Sequence, residues 1–120
     1  MVNESVVKIS PKLSFHDVED TGEGMKVFEF KLNPSGTTLA PFKGSRFTVE
    51  PNCSTPVDSH AVHEMWMVAE GEGELIYDNQ KFRISTSDVI YLEPPKQHLV
   101  KNDGTKPMVI FSIWWNERGV

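Results

Sequence analysis

The sequence predicts an all-β fold, built as an antiparallel barrel or jelly roll, from three observations. Short runs rich in β-branched and aromatic residues recur along the chain, turn residues separate them about every eight to twelve positions, and helical periodicity is hard to find. Strands joined by hairpins must close or double up, because exposed sheet edges otherwise pair with other chains. The predicted strands are 26–32, 45–50, 64–69, 74–77, 81–84, 88–92, 98–101 and 107–115.

The connections between these strands carry residues that favour turns. Residues 33–36, 71–73 and 93–96 combine Gly, Pro and polar side chains. Asn102-Asp103-Gly104 predicts a tight hairpin turn, and Asp78-Asn79 predicts another, because Asn, Asp and Gly tolerate the positive φ of such turns.

The length of 120 residues predicts one domain, since a second core would have too few residues to fill it. We expect residues 13–120 to form the barrel. Residues 1–12 form an N-terminal arm in this prediction, either flexible or exchanged with a neighbouring subunit, and the C-terminal stretch 113–115 is expected to contribute to a homodimer.

The charge of the chain argues against two classes of partner. A net charge of −5 repels phosphate backbones and anionic lipid headgroups. No apolar run approaches the roughly 20 residues of a membrane span, and the first residues lack the pattern of a secretory leader. We therefore expect a cytoplasmic protein that binds a small molecule, and neither nucleic acid nor a membrane.

Cys53 is the only cysteine, so the chain has no intramolecular disulfide and no cysteine-based zinc cluster. Any metal must use His, Asp or Glu. Cys53 itself is expected to be a small buried apolar residue, with a ligand or a reactive thiol as the alternative.

Candidate metal ligands are concentrated in one stretch and one later histidine. The stretch holds Asp58, His60, His63 and Glu64, and His98 follows at a distance. If the stretch is extended, Asp58, His60 and Glu64 share one face and His63 points to the other. Two imidazoles with one or two carboxylates suit one divalent ion, with zinc or iron favoured over manganese or nickel. The alternative is a polar loop with solvated histidines.

The stretch resembles the first motif of the cupin family, in which a His-x-His pair precedes a glutamate and a later glycine. His60, Glu64 and Gly71 fit that spacing, and His98 with Asn102 resembles the end of the second motif. The resemblance implies a small single-domain cupin with a double-stranded β-helix. The chain departs from the pattern at Asp58, which stands where the first histidine usually stands, and at Ser87, Glu93 and Pro95 in the second motif.

The resemblance implies a metal site with His60, Glu64 and His98 as its core set. Asp58 is then a fourth ligand or a hydrogen-bond partner that fixes the tautomer of His60. His63 replaces it as a ligand only if a bulge reverses the faces of the strand.

Residues near this site are candidates for a substrate pocket. Trp66 shares the face of Glu64, so an inward ligand face makes Trp66 one wall of an aromatic pocket, while ordinary core packing is the alternative. Arg46, Tyr91 and His63 are further pocket candidates.

The resemblance implies several functions, because cupins catalyse many reactions and the fold does not select one. The first hypothesis is a metal-dependent enzyme acting on a small polar metabolite, as an isomerase, lyase, oxygenase or bond-forming enzyme, with Glu64 or Asp58 as general base. The pattern from Asp58 through Trp66 to Gly73 also resembles zinc cupins that form nitrogen–nitrogen bonds with a methionyl-tRNA-synthetase-like domain, which here requires a separate protein partner. The alternatives are a non-catalytic cupin that binds or senses a sugar, an organic acid or a metal, and a metal-free scaffold for dimerisation.

Overall fold

The computed structural model of the chain describes residues 11–17, 19–20 and 24–116. The predicted arm lies outside this part except for its last two residues, so its exchange between subunits stays a prediction. No helix in the described ranges is long and apolar enough to cross a membrane.

Antiparallel strands make up almost all of the regular structure. Each of the eight predicted strands is found, with shifts of a few residues at the ends, and a two-residue strand precedes them. The strands are β1 Glu19–Asp20, β2 Met25–Glu29, β3 Lys43–Val49, β4 His63–Glu70, β5 Glu72–Tyr77, β6 Gln80–Ser85, β7 Val89–Leu92, β8 His98–Lys101 and β9 Met108–Trp115. A single turn of 3-10 helix, Pro34–Gly36, occupies the predicted turn at 33–36.

Two antiparallel sheets form the barrel, which confirms the predicted fold class. The larger sheet has the order β1-β2-β3-β9-β4-β7 and the smaller one has the order β6-β5-β8. Alternate residues of both sheets point inward and pack together, as the period of a half-buried strand requires. The buried apolar core consists of Phe47, Val49, Trp66, Val68, Leu75, Ile84, Leu92, Val100, Met108 and Ile110.

The Asp78-Asn79 hairpin turn is confirmed. Both residues have positive φ, 50° and 63°, and Tyr77 pairs with Gln80 across the turn. Two consecutive residues with positive φ match the right-handed twist of the strands that they join.

The interpretation of 71–73 as a turn is wrong for two of its three residues. Only Gly71 separates β4 from β5, and Glu72 and Gly73 already belong to β5. Gly71 has a φ of +88° and a Cβ there would lie 3.0 Å from Met108 Cα. Glycine is thus needed where the chain leaves one sheet for the other.

The prediction of a hairpin at Asn102-Asp103-Gly104 is also wrong. This connection joins β8 of the small sheet to β9 of the large sheet, and none of the three residues has positive φ. The Asn102 side chain holds the connection instead. It is 1% exposed, donates to the backbone oxygens of Val49 and Lys106 at 2.8 Å, and accepts from Gly104 N at 3.0 Å.

An irregular extended segment, residues 52–58, lies alongside β8. Asn52 N donates to Asn102 O, Thr55 N to Val100 O, and Asp58 N to His98 O, while His98 N donates back to Asp58 O. These bonds of 2.8–3.0 Å bring Asp58 next to His98, although 40 positions separate them in the sequence.

Candidate metal centre

Three predicted ligands, one exposed, one half-buried and one buried, lie close together. Asp58, His60 and His98 each place a ligand atom within 4.8 Å of the other two. His98 begins β8, Asp58 ends the segment 52–58, and His60 lies in the connection that leads into β4. The stretch from Asp58 to Val62 is not a regular strand, so these residues meet through the hydrogen bonds of 52–58 and not through simple alternation.

Glu64 completes the group from the inner face of β4. Its Oε1 atom lies 2.7 Å from His60 Nε2 and 3.5 Å from His98 Nε2. Its Oε2 atom accepts hydrogen bonds from Trp66 Nε1 at 2.8 Å and from the hydroxyl of Ser112 on β9. One oxygen is therefore held by the protein while the other faces the two imidazoles.

The hydrogen bonds of His60 orient its ring. Nδ1 donates to the backbone oxygen of Val62 at 3.0 Å, since a carbonyl oxygen accepts only. Nε2 is then the atom that faces Glu64, and in the neutral ring it carries a lone pair. Val62, and not Asp58, is thus the partner that fixes the tautomer, which corrects the alternative role considered for Asp58.

The charges around His60 favour a cation at this point. Burial alone lowers the pKa of His60, but the hydrogen bond and negative charge of Glu64, together with the Val62 carbonyl, raise the pKa above its usual value of 6.5. Asp58 adds to the increase. The lone pair of His60 and the carboxylate of Glu64 face each other, so a proton or a metal ion is needed between them.

His98 is available as a neutral ligand. It is 4% exposed, and this burial lowers its pKa although the charges of Glu64 and Asp58 act in the opposite direction. The Lys96 carbonyl also favours the charged ring. Within the described part of the chain, the buried Nδ1 atom of His98 makes no hydrogen bond of normal geometry.

The donor set fits a divalent cation. Two imidazole nitrogens and two carboxylates are the ligand types of zinc, iron(II), manganese and nickel. Ligands that share an ion at about 2.1 Å lie roughly 3.0–3.4 Å from one another. The contacts of 2.7 Å and 3.5 Å from Glu64 to the two histidines bracket that separation.

A cavity of about 350 Å³ adjoins the cluster. Its apolar wall consists of Met25, Val27, Phe47, Pro56, Val57 and Trp66. Its polar wall consists of Ser45, Thr55, Asp58, Glu64, His98 and Ser112. A second hollow of about 290 Å³ is lined by Asp58, His60, Val62, Glu64 and Trp114, so Asp58 and Glu64 border both spaces.

The family model for the cupin domain matches residues 45–114. The chain belongs to the cupin family. The match includes Asp58, His60, Glu64 and His98, so the cluster lies within the part of this cupin that defines the family.

Known proteins similar to this cupin support the fold. A Cupin 2 conserved barrel domain protein from Salinispora arenicola is 25% identical, with 95% of this chain and 92% of that chain covered and a TM-score of 0.73. An oxalate decarboxylase structure superposes with a TM-score of 0.73 at 22% identity, over 85% of this chain and 28% of that chain. An uncharacterized protein of Methanocaldococcus jannaschii is 36% identical over 47 residues, which span 39% of this cupin and 38% of that protein.

Trp66 lies where parity predicts, in the wall of the cavity. Its ring stands edge-on to His98 with centroids 5.4 Å apart, and it also packs against Phe47. Trp66 thus serves the core and the site at once, so the two interpretations of this residue do not exclude each other.

The structure does not bring the other three pocket candidates into the cavity. The Arg46 guanidinium lies over the rings of Phe15 and Phe28 on the outer face of the large sheet, 4.7 and 4.9 Å from their centroids. Tyr91 is 45% exposed and stacks with His63 on the outer face. These placements follow from the alternation of side chains along a strand. Phe47, next to Arg46 in β3, points inward, so Arg46 points outward.

His63 keeps its predicted outward direction. Its ring stacks between Tyr91 and Trp115, with centroid distances of 5.8 and 5.7 Å. The irregularity of β4 falls between Val68 and Glu70, at the other end of the strand. No bulge therefore turns His63 toward the ligands.

Two serines of the polar wall were not predicted. Ser45 of β3 and Ser112 of β9 are paired across the strands and are 4% and 1% exposed. Trp66 is paired with Ser112 on the other side, so the three residues form one row across the sheet. The sequence does contain a signal for Ser112, because a serine at an inward position of the otherwise apolar strand β9 indicates a polar site inside the barrel.

Proposed function

We propose that this cupin is a metal-dependent enzyme that acts on a small metabolite in the cavity beside the cluster. His60, Glu64 and His98 would hold one divalent cation, zinc or iron in preference to manganese or nickel, with Asp58 as an adjacent carboxylate. The observation that carries the proposal is the convergence of Asp58, His60 and His98 within 4.8 Å beside a cavity of about 350 Å³. When bound, such a cation supplies Lewis-acid chemistry, and iron supplies redox chemistry in addition.

The two carboxylates are suited to different tasks. Glu64 is 9% exposed and both of its oxygens have partners, which fits a fixed ligand better than a general base. Asp58 is exposed, borders both cavities, and has its backbone fixed by two hydrogen bonds to His98. Asp58 is therefore the group that we assign to accept a proton from a substrate.

The structural neighbour oxalate decarboxylase supports only the general point that a cupin barrel hosts enzymatic chemistry. The more specific proposal, nitrogen–nitrogen bond formation, requires a methionyl-tRNA-synthetase-like partner. Activity that appears only when such a partner is added would support it, and activity of the cupin alone would contradict it.

Metal content and turnover test the proposal together. Protein purified without nickel affinity is expected to hold about one equivalent of a divalent metal, and His98→Ala is expected to lose it. His63→Ala is the matched control, because it removes a neighbouring imidazole that faces outward. A panel of metabolites is then assayed with the wild type and both variants.

Each outcome selects one hypothesis. Product formed by the wild type and by His63→Ala but not by His98→Ala supports the enzyme. Tight binding of a sugar or organic acid without product would identify a binding or sensing protein. Failure to take up metal after reconstitution would leave the dimerisation scaffold.

A further inference from the structure

The cavity beside the cluster combines apolar side chains with negatively charged ones. Six of its twelve lining residues are apolar, and its charged side chains are the carboxylates of Asp58 and Glu64. Among the residues that the structure describes, no lysine or arginine lines it. A ligand inside therefore meets negative charge and apolar surface.

The basic residues closest along the sequence to the cavity wall are directed away from it. Arg46 lies between Ser45 and Phe47, which line the cavity, but its guanidinium packs over Phe15 and Phe28 on the outer face. Lys26 lies between Met25 and Val27 in the same way and is exposed. Alternation along β2 and β3 keeps both cations outside.

Two side-chain donors of the wall, those of Ser112 and Trp66, are already engaged, and the other hydroxyls, those of Ser45 and Thr55, carry no charge. Ser112 and Trp66 donate to Glu64 Oε2, and Thr55 Oγ1 accepts from Val100 N at 3.0 Å. A buried anion needs a cation or several hydrogen-bond donors to replace its water. A positive charge would be available at one place only, beside Glu64 and His98, where the proposed cation would sit.

We propose that this cavity selects a compact ligand with an apolar body and at most one anionic group, and that it excludes dicarboxylates and phosphate esters. The inference deepens the proposed function and rests on it for the cation that would receive the single anionic head group. It also narrows the expected small polar metabolite to one whose polarity is confined to one end.

A pair of probes of equal chain length tests the preference for ligands with at most one anionic group, which we call the charge rule. Hexanoate and adipate both carry a carboxylate that reaches the cluster, but adipate has a second carboxylate at the other end of its six carbons. Calorimetric titration of the metal-loaded protein is expected to show about tenfold tighter binding of hexanoate, because the second charge of adipate finds no partner. Equal affinities, tighter binding of adipate, or no binding of hexanoate would overturn the inference.

A variant that adds a positive charge to the cavity wall should reverse the preference. Val57 lines the cavity and is 60% exposed, so its replacement leaves the core unchanged. Val57→Arg is expected to improve adipate binding relative to hexanoate by about fivefold or more, since it supplies the missing cation. Val57→Gln, which introduces hydrogen-bond donors without a charge, is expected to keep the wild-type ratio. An unchanged ratio in Val57→Arg counts against the charge rule.

Metal analysis of the same samples separates this inference from the proposed function. Protein that holds no metal but still prefers hexanoate would refute the metal-dependent enzyme and leave the charge rule standing. Protein that holds metal and binds adipate as well as hexanoate would refute the charge rule alone.

Discussion

Ser112 donates a hydrogen bond to Glu64 Oε2 across the pairing of β9 and β4, and both residues are buried. Together with Trp66 Nε1, this bond holds one oxygen of the carboxylate so that the other faces His60 and His98. Partners of this kind orient a ligand before the metal arrives.

Ser112→Ala is expected to weaken metal binding by about tenfold, the lower end of the effect of losing a partner of a metal ligand. The substitution also removes a buried hydrogen bond to a carboxylate, so the melting temperature of the metal-free protein is expected to fall as well. Competition titrations with a zinc chelator measure the affinity. Ser45→Ala is the control, because Ser45 is equally buried and paired with Ser112 but is not a hydrogen-bond partner of Glu64. Similar losses in both variants would contradict a specific role for Ser112.

Metal affinity is expected to rise with pH until the raised pKa of His60 is passed. Both imidazoles must be neutral to bind a metal. His98 has a lowered pKa and is already neutral near pH 7, whereas His60, with its pKa raised above 6.5, still competes for a proton. Below that raised pKa, each pH unit should reduce the affinity by about tenfold. Zinc titrations from acidic to mildly alkaline pH check this, and a flat profile would contradict it.

The same two groups act in opposite directions on the stability of the metal-free protein. The raised pKa of His60 stabilises the fold below 6.5, and this contribution is lost as the pH rises through the folded pKa. The lowered pKa of His98 destabilises the fold as the pH falls below 6.5. Urea denaturation of His60→Gln and His98→Gln with chelator present separates the two, since each variant should lose one of the two trends.

Removal of the metal is expected to lower the melting temperature by on the order of 10 °C. A ligand at about a thousand times its Kd stabilises the native state by about 4 kcal/mol, and about 1 kcal/mol shifts the melting temperature of a domain near this size by several degrees. Differential scanning calorimetry with and without a chelator measures the shift. His98→Ala should show no such dependence, so a chelator effect of the same size in that variant would place the metal elsewhere.

Asn102→Ala is expected to reduce the free energy of unfolding by about 2–4 kcal/mol, because it leaves the oxygens of Val49 and Lys106 and the amide of Gly104 without their partner. Chemical denaturation measures the change. Asp103→Ala is the neighbouring control. Its carboxylate is exposed and paired with Arg83, an arrangement that contributes little in water, so the stability should be nearly unchanged. Equal effects of the two substitutions would contradict the assigned role of Asn102.

Strands β3, β4, β8 and β9 could be predicted because each buries one face, which leaves a period of two in the sequence. The inward positions Glu64, Trp66 and Val68 follow directly from it. The same period places Ser45 inward and Arg46 outward, so parity argues against Arg46 as a pocket residue.

The remaining features depend on contacts between distant parts of the chain. Asp58 reaches the cluster because 52–58 is bonded to β8, and no local pattern encodes that pairing. The sequence Asn102-Asp103-Gly104 has the composition of a hairpin turn, but the buried side chain of Asn102 bonds to Val49, 53 positions away. Tertiary hydrogen bonds thus determine the structure in both places, and at 102–104 they override the local preference for a turn.

The attachment of 52–58 to β8 also determines which edits the chain should accept. An inserted or deleted residue within 52–58 would shift Asp58 out of register with His98 and so separate the carboxylate from the imidazoles. The 3-10 turn at Pro34–Gly36, in which Pro34 and Gly36 are exposed, carries no such register and is a suitable position for an affinity tag or a fluorescent label. The length of the segment 52–58 thus sets the position of Asp58 relative to His98.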